Sequence, residues 1–136
     1  MIELDFTRIR AFDGSKDGGF EELVCQIAHL NKPNKGKNFI RKDGSGGDAG
    51  VECYWILEDG SEHAWQAKYF TARLEDSQWN QIDKSVRTAI EKHPRLTKYY
   101  MSVPRDLNDS RKKASSGKQV KSSLDKWNQY VESWIK

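Results

Sequence analysis

The feature that most constrains this chain is a pair of short apolar segments joined by Asp59-Gly60-Ser61, a pattern that predicts a β-hairpin. A glycine-rich stretch leads into the first strand and delivers two carboxylates, Asp48 and Glu52. The second strand carries a carboxamide and an amine, Gln66 and Lys68. Because side chains alternate along a strand, Gln66 and Lys68 are predicted to point to the same face.

The face that Glu52 takes depends on the register of this hairpin. A two-residue turn at Asp59-Gly60 would place Glu52 opposite Ala67, away from Lys68. A three-residue loop at Asp59-Gly60-Ser61 places Glu52 opposite Lys68, and we expect this register because such loops are common in hairpins. It gathers the carboxylates, the amide and the amine in a small volume, whose oxygens suit a hard divalent cation. The alternative is that these are ordinary polar residues on the wet face of the hairpin.

These residues form two motifs in a fixed order, Gly47-Asp48-Ala49-Gly50-Val51-Glu52 and Gln66-Ala67-Lys68. In them the sequence resembles the PD-(D/E)xK nuclease superfamily. It is most similar to the Mrr-type restriction endonucleases, which carry a Gly-Asp-x-Gly-hydrophobic-acid turn and a Gln-x-Lys strand. The sequence departs from the superfamily pattern at two positions. Glu52 stands where aspartate is more usual, and Gln66 stands where the wider superfamily has an acid.

The resemblance implies an α/β, restriction-endonuclease-like fold with a central mixed β-sheet of about four strands flanked by helices. It implies one nuclease domain over residues 1–136, and hydrolysis of phosphodiester bonds in double-stranded DNA. The implied cofactor is Mg²⁺, with Mn²⁺ as an alternative. In the order of a strand, a proline loop at Pro104, a basic segment and a tryptophan-rich final helix, the chain also resembles the amino-terminal nuclease modules of bacterial anti-phage sensors of the STAND NTPase type. That likeness implies an effector of antiviral defence within a longer protein, which would form homo-oligomers through its other parts.

The resemblance also assigns roles to the motif residues. Glu52, Asp48 and Gln66 are the implied metal ligands, and Glu52 is preferred to Asp48 as the direct ligand because it aligns with the acid after the hydrophobic residue. Lys68 is expected to position or deprotonate the attacking water and to stabilise the developing charge.

A fifth catalytic residue is expected from the first helix. Mrr-like nucleases open with a Phe-Glu-x-Leu-Val type helix whose acid reaches the metal site, and Glu21 occupies that position here. Glu22, one residue further, stays open as an alternative. Both acids are otherwise explained by their place in the first turn of a helix, where the helix dipole favours negative charge.

Apolar periodicity and breaker residues predict the remaining elements. Asp13 to Gly19 has the composition of a turn. The predicted helices run from Phe20 to about His29, from Asp76 to about Lys92 and from Val120 to Ile135. Besides the hairpin, strands are predicted from Lys37 to Lys42 and from Leu96 to Val103.

The carboxy-terminal part of the chain is basic, with nine Lys or Arg residues and two Asp residues between Lys92 and Lys121. A basic segment beside an acidic metal site suits a polyanion, although charge runs are usually solvated loops. The residues expected to bind DNA are Lys42, Gln81, Arg105, Arg111, Lys112 and Lys113. A non-catalytic DNA-binding or oligomerisation module on the same fold is the competing interpretation, and the missing acid at Gln66 favours it.

Several other classes of protein are disfavoured. No apolar run approaches the length of a membrane span and no signal-peptide pattern is present, so we expect a cytoplasmic protein without membrane contact. Neither GxGxxG nor a Walker lysine motif occurs, which argues against nucleotide binding. Cys25 and Cys53 are expected to be reduced, buried thiols.

Overall fold

The computed structural model describes residues 5–12, 14–42, 50–105 and 122–135. Asp48 and the basic residues Arg111, Lys112 and Lys113 lie outside these described residues. A short 3-10 helix (Phe6–Arg8) precedes the regular elements, which are α1 (Lys16–Leu30), β1 (Gly36–Arg41), β2 (Cys53–Leu57), β3 (Glu62–Ala67), α2 (Asp76–Lys92), β4 (Leu96–Ser102) and α3 (Ser123–Ile135). The expected α/β class with a four-stranded mixed sheet is confirmed at this coarse level.

The strands follow one another in the sheet in chain order, β1-β2-β3-β4. β1 pairs with β2, and β2 with β3, in antiparallel fashion, whereas β3 and β4 are parallel. A parallel pair needs a crossover connection, and α2 provides it. This places α2 between the two strands in sequence and against the sheet in space.

The hairpin has a different register from the one predicted. Ile56 pairs with Glu62 and Cys53 with Trp65, and the backbone N–H of Glu52 donates to the carbonyl of Trp65 at 2.8 Å. Glu52 is therefore not opposite Lys68, and that prediction is wrong.

The loop explains the shift. It consists of residues 58–60, between Leu57 and Ser61. The backbone N–H of Leu57 donates to the carbonyl oxygen of Ser61 at 2.9 Å, so the loop begins one residue earlier than expected. The carboxylate of Asp59 accepts from the N–H and hydroxyl of Ser61, and Gly60 supplies the left-handed conformation at φ +85°.

Helix α1 begins at Lys16, earlier than the predicted Phe20. Ser15 caps it by accepting from the N–H of Gly18 at 2.9 Å. The glycines that suggest a turn are in the helix because the preceding segment packs onto them. A Cβ at Gly18 or Gly19 would collide with the backbone carbonyl oxygens of Phe12 and Arg10.

The core has two sides. Cys25 and Ala28 of α1 pack with Cys53, while Ala89 of α2 packs with Ala64 and is bordered by Tyr54. Because neighbouring strand residues point to opposite faces, α1 and α2 cover opposite faces of the sheet. Both cysteines are free and buried, as expected.

Helix α3 attaches to α2 through aromatic rings. Tyr130 stacks on the buried Trp79 with 5.5 Å between ring centroids, and Trp134 stacks on Tyr130 at 5.7 Å. The indole N–H of Trp134 also donates to Asp83 at 2.8 Å. The aromatic stripe of α3 therefore belongs to the packing of the fold.

The remaining boundaries lie close to those predicted. α2 has its predicted limits, β4 ends one residue before Val103, and β1 is displaced by one residue. α3 begins at Ser123 within the described residues, three residues after the predicted start. Over the described ranges, no helix combines the length and apolar character that crossing a membrane requires.

Candidate active site

An open pocket of about 560 Å³ lies where the glycine turn, the end of β3, α1 and α2 meet. Four of the predicted catalytic residues line it, namely Glu21, Glu52, Gln66 and Lys68, together with Gln81. Its other lining residues are Asp17, Gly50, Val51, Ala67, Tyr69, Phe70, Lys84, Ser85 and Thr88. The predicted convergence of the two motifs is thus present although the register differs, because a shift of two residues preserves the face of each side chain.

Gly50 positions the first motif. It has φ +71°, a conformation that favours glycine, and a Cβ there would overlap the carbonyl oxygen of Ser85 and lie 3.0 Å from the N–H nitrogen of Ala89. The turn therefore runs directly against the backbone of α2. Tyr99 of β4 fixes it from another side by donating its hydroxyl to the Gly50 carbonyl at 2.6 Å. Val51, which follows, is buried and places Glu52 at the pocket.

Gln66 carries the most informative atom of the pocket. Its side chain is only 7% exposed, and its carbonyl oxygen Oε1 is buried with no hydrogen-bond donor within the described part of the chain. Leaving a buried acceptor without a partner costs roughly 1–3 kcal/mol. A divalent cation would satisfy this oxygen, since amide and carboxylate oxygens are ligands that Mg²⁺ and Ca²⁺ accept. Gln66 and Glu52 therefore fit a hard cation.

Lys68 is half-buried at the end of β3. Burial lowers the pKa of its amine, and the charge of Lys84 lowers that pKa further, while Glu52 and Glu21 oppose the shift. An amine in this environment holds its proton less tightly than a solvated lysine. That property suits a group that exchanges protons or meets a developing negative charge.

The two acids of α1 lie in different surroundings. Glu21 lines the pocket, and its pKa is raised by burial and by the nearby charge of Asp17. Glu22 instead forms an ion pair with Arg41 and accepts from Gln26 at 2.8 Å, and these hydrogen bonds lower its pKa. Glu21 is thus the acid of α1 that belongs to the pocket.

The predicted DNA-binding residues are not all gathered here. Gln81 lines the pocket, but Lys42 and Arg105 do not. The amine of Lys42 lies 5.8 Å from the ring centroid of Tyr54, in a cation–π position, and Arg105 is exposed beyond β4. Within the described ranges, no three His, Cys, Asp or Glu side chains are grouped closely enough to hold a metal ion. Glutamine oxygens, and Asp48 outside those ranges, are not counted in such a group.

The charged or polar lining residues that reasoning from the sequence missed include Asp17, Lys84 and Thr88. Lys84 and Thr88 follow Gln81 by three and seven positions, which is the spacing of one helix face. Asp17 precedes Glu21 by four. Spacing along α2 points to Lys84 and Thr88 once Gln81 is known to face the pocket, whereas Asp17 lies in a segment predicted to be a turn.

No protein-family model matches the chain, and neither the curated proteins nor the solved structures contain a significant match to it.

Proposed function

We propose that this chain is a Mg²⁺-dependent endodeoxyribonuclease that hydrolyses phosphodiester bonds in double-stranded DNA. The observation that carries the proposal is the buried oxygen of Gln66, which has no hydrogen-bond donor among the described residues, in the pocket that also receives Glu52 and the half-buried amine of Lys68. A buried amide oxygen that can accept a cation, a carboxylate and an amine of lowered pKa form a set that metal-assisted phosphate hydrolysis can use.

In this proposal Glu52 and the Gln66 carbonyl oxygen would hold the metal ion, which would supply Lewis-acid stabilisation of the phosphate charge. Asp48 stays a predicted additional ligand outside the described residues. Glu21 lies at the same pocket and orients water or contributes a further carboxylate oxygen. The water oxygen forms a bond to phosphorus while one ester P–O bond breaks. The proton of the water passes to the neutral amine of Lys68, and the leaving oxygen takes a proton from solvent.

Lys68 has two uses in this step. As an ammonium it stabilises the negative charge that develops on the phosphate oxygens. In its neutral form Lys68 can accept the proton of the attacking water. Because burial lowers the pKa of Lys68, this neutral form is reached at a lower pH than for a solvated lysine. The roles in anti-phage defence and in assembly as part of a longer protein belong to the same proposal and rest on the resemblance alone.

Cleavage of supercoiled plasmid tests the proposal. We expect the purified chain to cut in Mg²⁺ or Mn²⁺ and not in EDTA. The variants Glu52→Gln and Lys68→Ala should each lose cleavage by a factor of about 10² to 10⁴. The matched controls are Glu58→Gln and Lys92→Ala, which remove exposed charges of the same sign outside the pocket. Equal cutting by all five proteins would attribute the activity to a contaminant and remove the assignment.

A non-catalytic DNA-binding module is the second candidate. It is favoured by the lack of a group of three His, Cys, Asp or Glu side chains able to hold a metal within the described part of the chain. Duplex binding that weakens with salt but is accompanied by no cutting in any divalent cation would support it. Cutting that depends on Glu52 and Lys68 would exclude it.

A further inference from the structure

The pocket contains a second amine that the proposed reaction does not use. Lys84 lies on α2 one turn after Gln81 and one turn before Thr88, and all three line the same pocket as Lys68. The pocket is therefore bounded by amines from two different elements, the end of β3 and the exposed face of α2. One amine suffices for the scissile phosphate, so the second requires a separate explanation.

Lys84 differs in its electrostatic environment from Arg87, which lies on the same helix. Arg87 is held by Asp83 at 3.0 and 3.1 Å along the same helix. Among the residues that the structure describes, no carboxylate comes within ion-pair distance of Lys84. The carboxylates of Asp17, Glu21 and Glu52 also line the pocket, but none of them forms an ion pair with Lys84, so within the described part of the chain an anion bound beside Lys84 would meet an ammonium group without a carboxylate at ion-pair distance. The hydroxyl of Thr88 and the amide of Gln81 add neutral donors on the same face.

We propose that Lys84, together with Thr88 and Gln81, binds a second backbone phosphate of the nucleic acid, next to the one that is cleaved. The inference rests on the proposed function and specifies its substrate. A mononucleotide presents one phosphate ester to the pocket, whereas the interior of a polynucleotide presents a phosphate on either side of each sugar. Two separate amine positions therefore select internal phosphodiesters of a polymer over single nucleotides.

Salt-dependent binding tests this without relying on cleavage. The full chain is titrated with a short blunt DNA duplex in Ca²⁺, at several salt concentrations, as wild type, Lys84→Ala, Lys84→Arg and Lys92→Ala. Lys92→Ala is the matched control because it removes an exposed lysine from the same helix outside the pocket. We expect Lys84→Ala to weaken binding about tenfold for any duplex sequence, and to reduce the slope of log affinity against log salt by about one.

Lys84→Arg should retain the wild-type slope, and so should Lys92→Ala. All variants should keep the wild-type melting temperature, because the side chains are exposed. A slope for Lys84→Ala equal to that of Lys92→Ala overturns the inference and leaves the nuclease proposal untouched. If the slope depends on Lys84 but the wild type never cuts, the phosphate site stands and the nuclease proposal fails.

Discussion

The hydroxyl of Tyr99 donates a hydrogen bond of 2.6 Å to the carbonyl oxygen of Gly50, tying β4 to the turn that precedes Glu52. Tyr99→Phe keeps the ring and removes the donor. We expect it to lower the free energy of unfolding by about 1–2 kcal/mol, since the carbonyl loses its partner. We also expect about a tenfold loss of kcat in the plasmid assay, because Glu52 is held less accurately.

Tyr100→Phe is the matched control, since Tyr100 is 43% exposed and packs through its ring against Trp65. Urea denaturation and plasmid cleavage of the two variants give the comparison. Identical stability and kcat for Tyr99→Phe and Tyr100→Phe would show that the hydrogen bond does not position the turn.

Two glycines have similar backbone conformations but different surroundings. Alanine substitutions at the two positions therefore distinguish backbone strain from steric overlap. Gly50 has φ +71° and Gly14 has φ +84°, but an added Cβ meets the Ser85 carbonyl at Gly50 and nothing within 4 Å at Gly14. We expect Gly14→Ala to cost about 1 kcal/mol of stability, from conformation alone. Gly50→Ala should cost more than about 3 kcal/mol, because α2 must also move. Chemical denaturation measures both, and equal losses would contradict the close packing of the turn on α2.

The lowered pKa of Lys68 makes stability depend on pH. Its folded-state pKa lies below the ordinary value of 10.5, so the charged amine is disfavoured in the folded protein. The resulting decrease in the free energy of unfolding is complete below the folded-state pKa of Lys68. It disappears as the pH rises through that pKa towards 10.5. We therefore expect metal-free Lys68→Met to be more stable than wild type at neutral pH.

The advantage of Lys68→Met should shrink as the pH approaches 10. Urea denaturation from neutral to alkaline pH, in EDTA, measures it, and Lys92→Met serves as the exposed control. An advantage that stays constant across this range would indicate that the variant acts through its apolar side chain and not through charge.

Divalent cations should stabilise the folded chain through Glu52 and Gln66. A ligand that binds only the folded state at a hundredfold excess over its Kd adds about 2.7 kcal/mol. We expect Mg²⁺ or Ca²⁺ to raise the Tm of the wild type and of Glu58→Gln, and to leave the Tm of Glu52→Gln unchanged. Calorimetry in EDTA provides the baseline. A cation effect of the same size in all three proteins would place the binding elsewhere.

Much of the fold follows from local patterns. The limits of α2 are set by apolar spacing and by the capping box that Glu75 forms with Gln78. Both features involve residues that lie close together in the sequence. The start of α1 was placed four residues too late, because a pair of glycines that usually marks a turn is required here by the approach of residues 10–12. That contact comes from residues just before the helix, and the local signal of the true start is the capping serine, Ser15, within the segment predicted to be a turn.

The site was predictable to the extent that it depends on alternation along β2 and β3. Glu52, Gln66 and Lys68 reach one pocket because side-chain faces repeat every two residues, which an error of two residues in register leaves unchanged. The contributions of Asp17 and Lys84 depend on how α1 and α2 pack over the end of the sheet. Such packing is decided by tertiary contacts, which the spacing of residues in one segment does not encode.

The stack of Trp79, Tyr130 and Trp134 gives this chain a built-in optical probe. Trp79 belongs to α2, the helix whose other face forms the wall of the pocket. A tilt of that helix on binding would change the overlap of the rings, and with it the intrinsic fluorescence of the protein. Ligand-driven motion at the pocket can thus be followed in the unlabelled chain, with Trp134→Phe identifying the emission that comes from the stack.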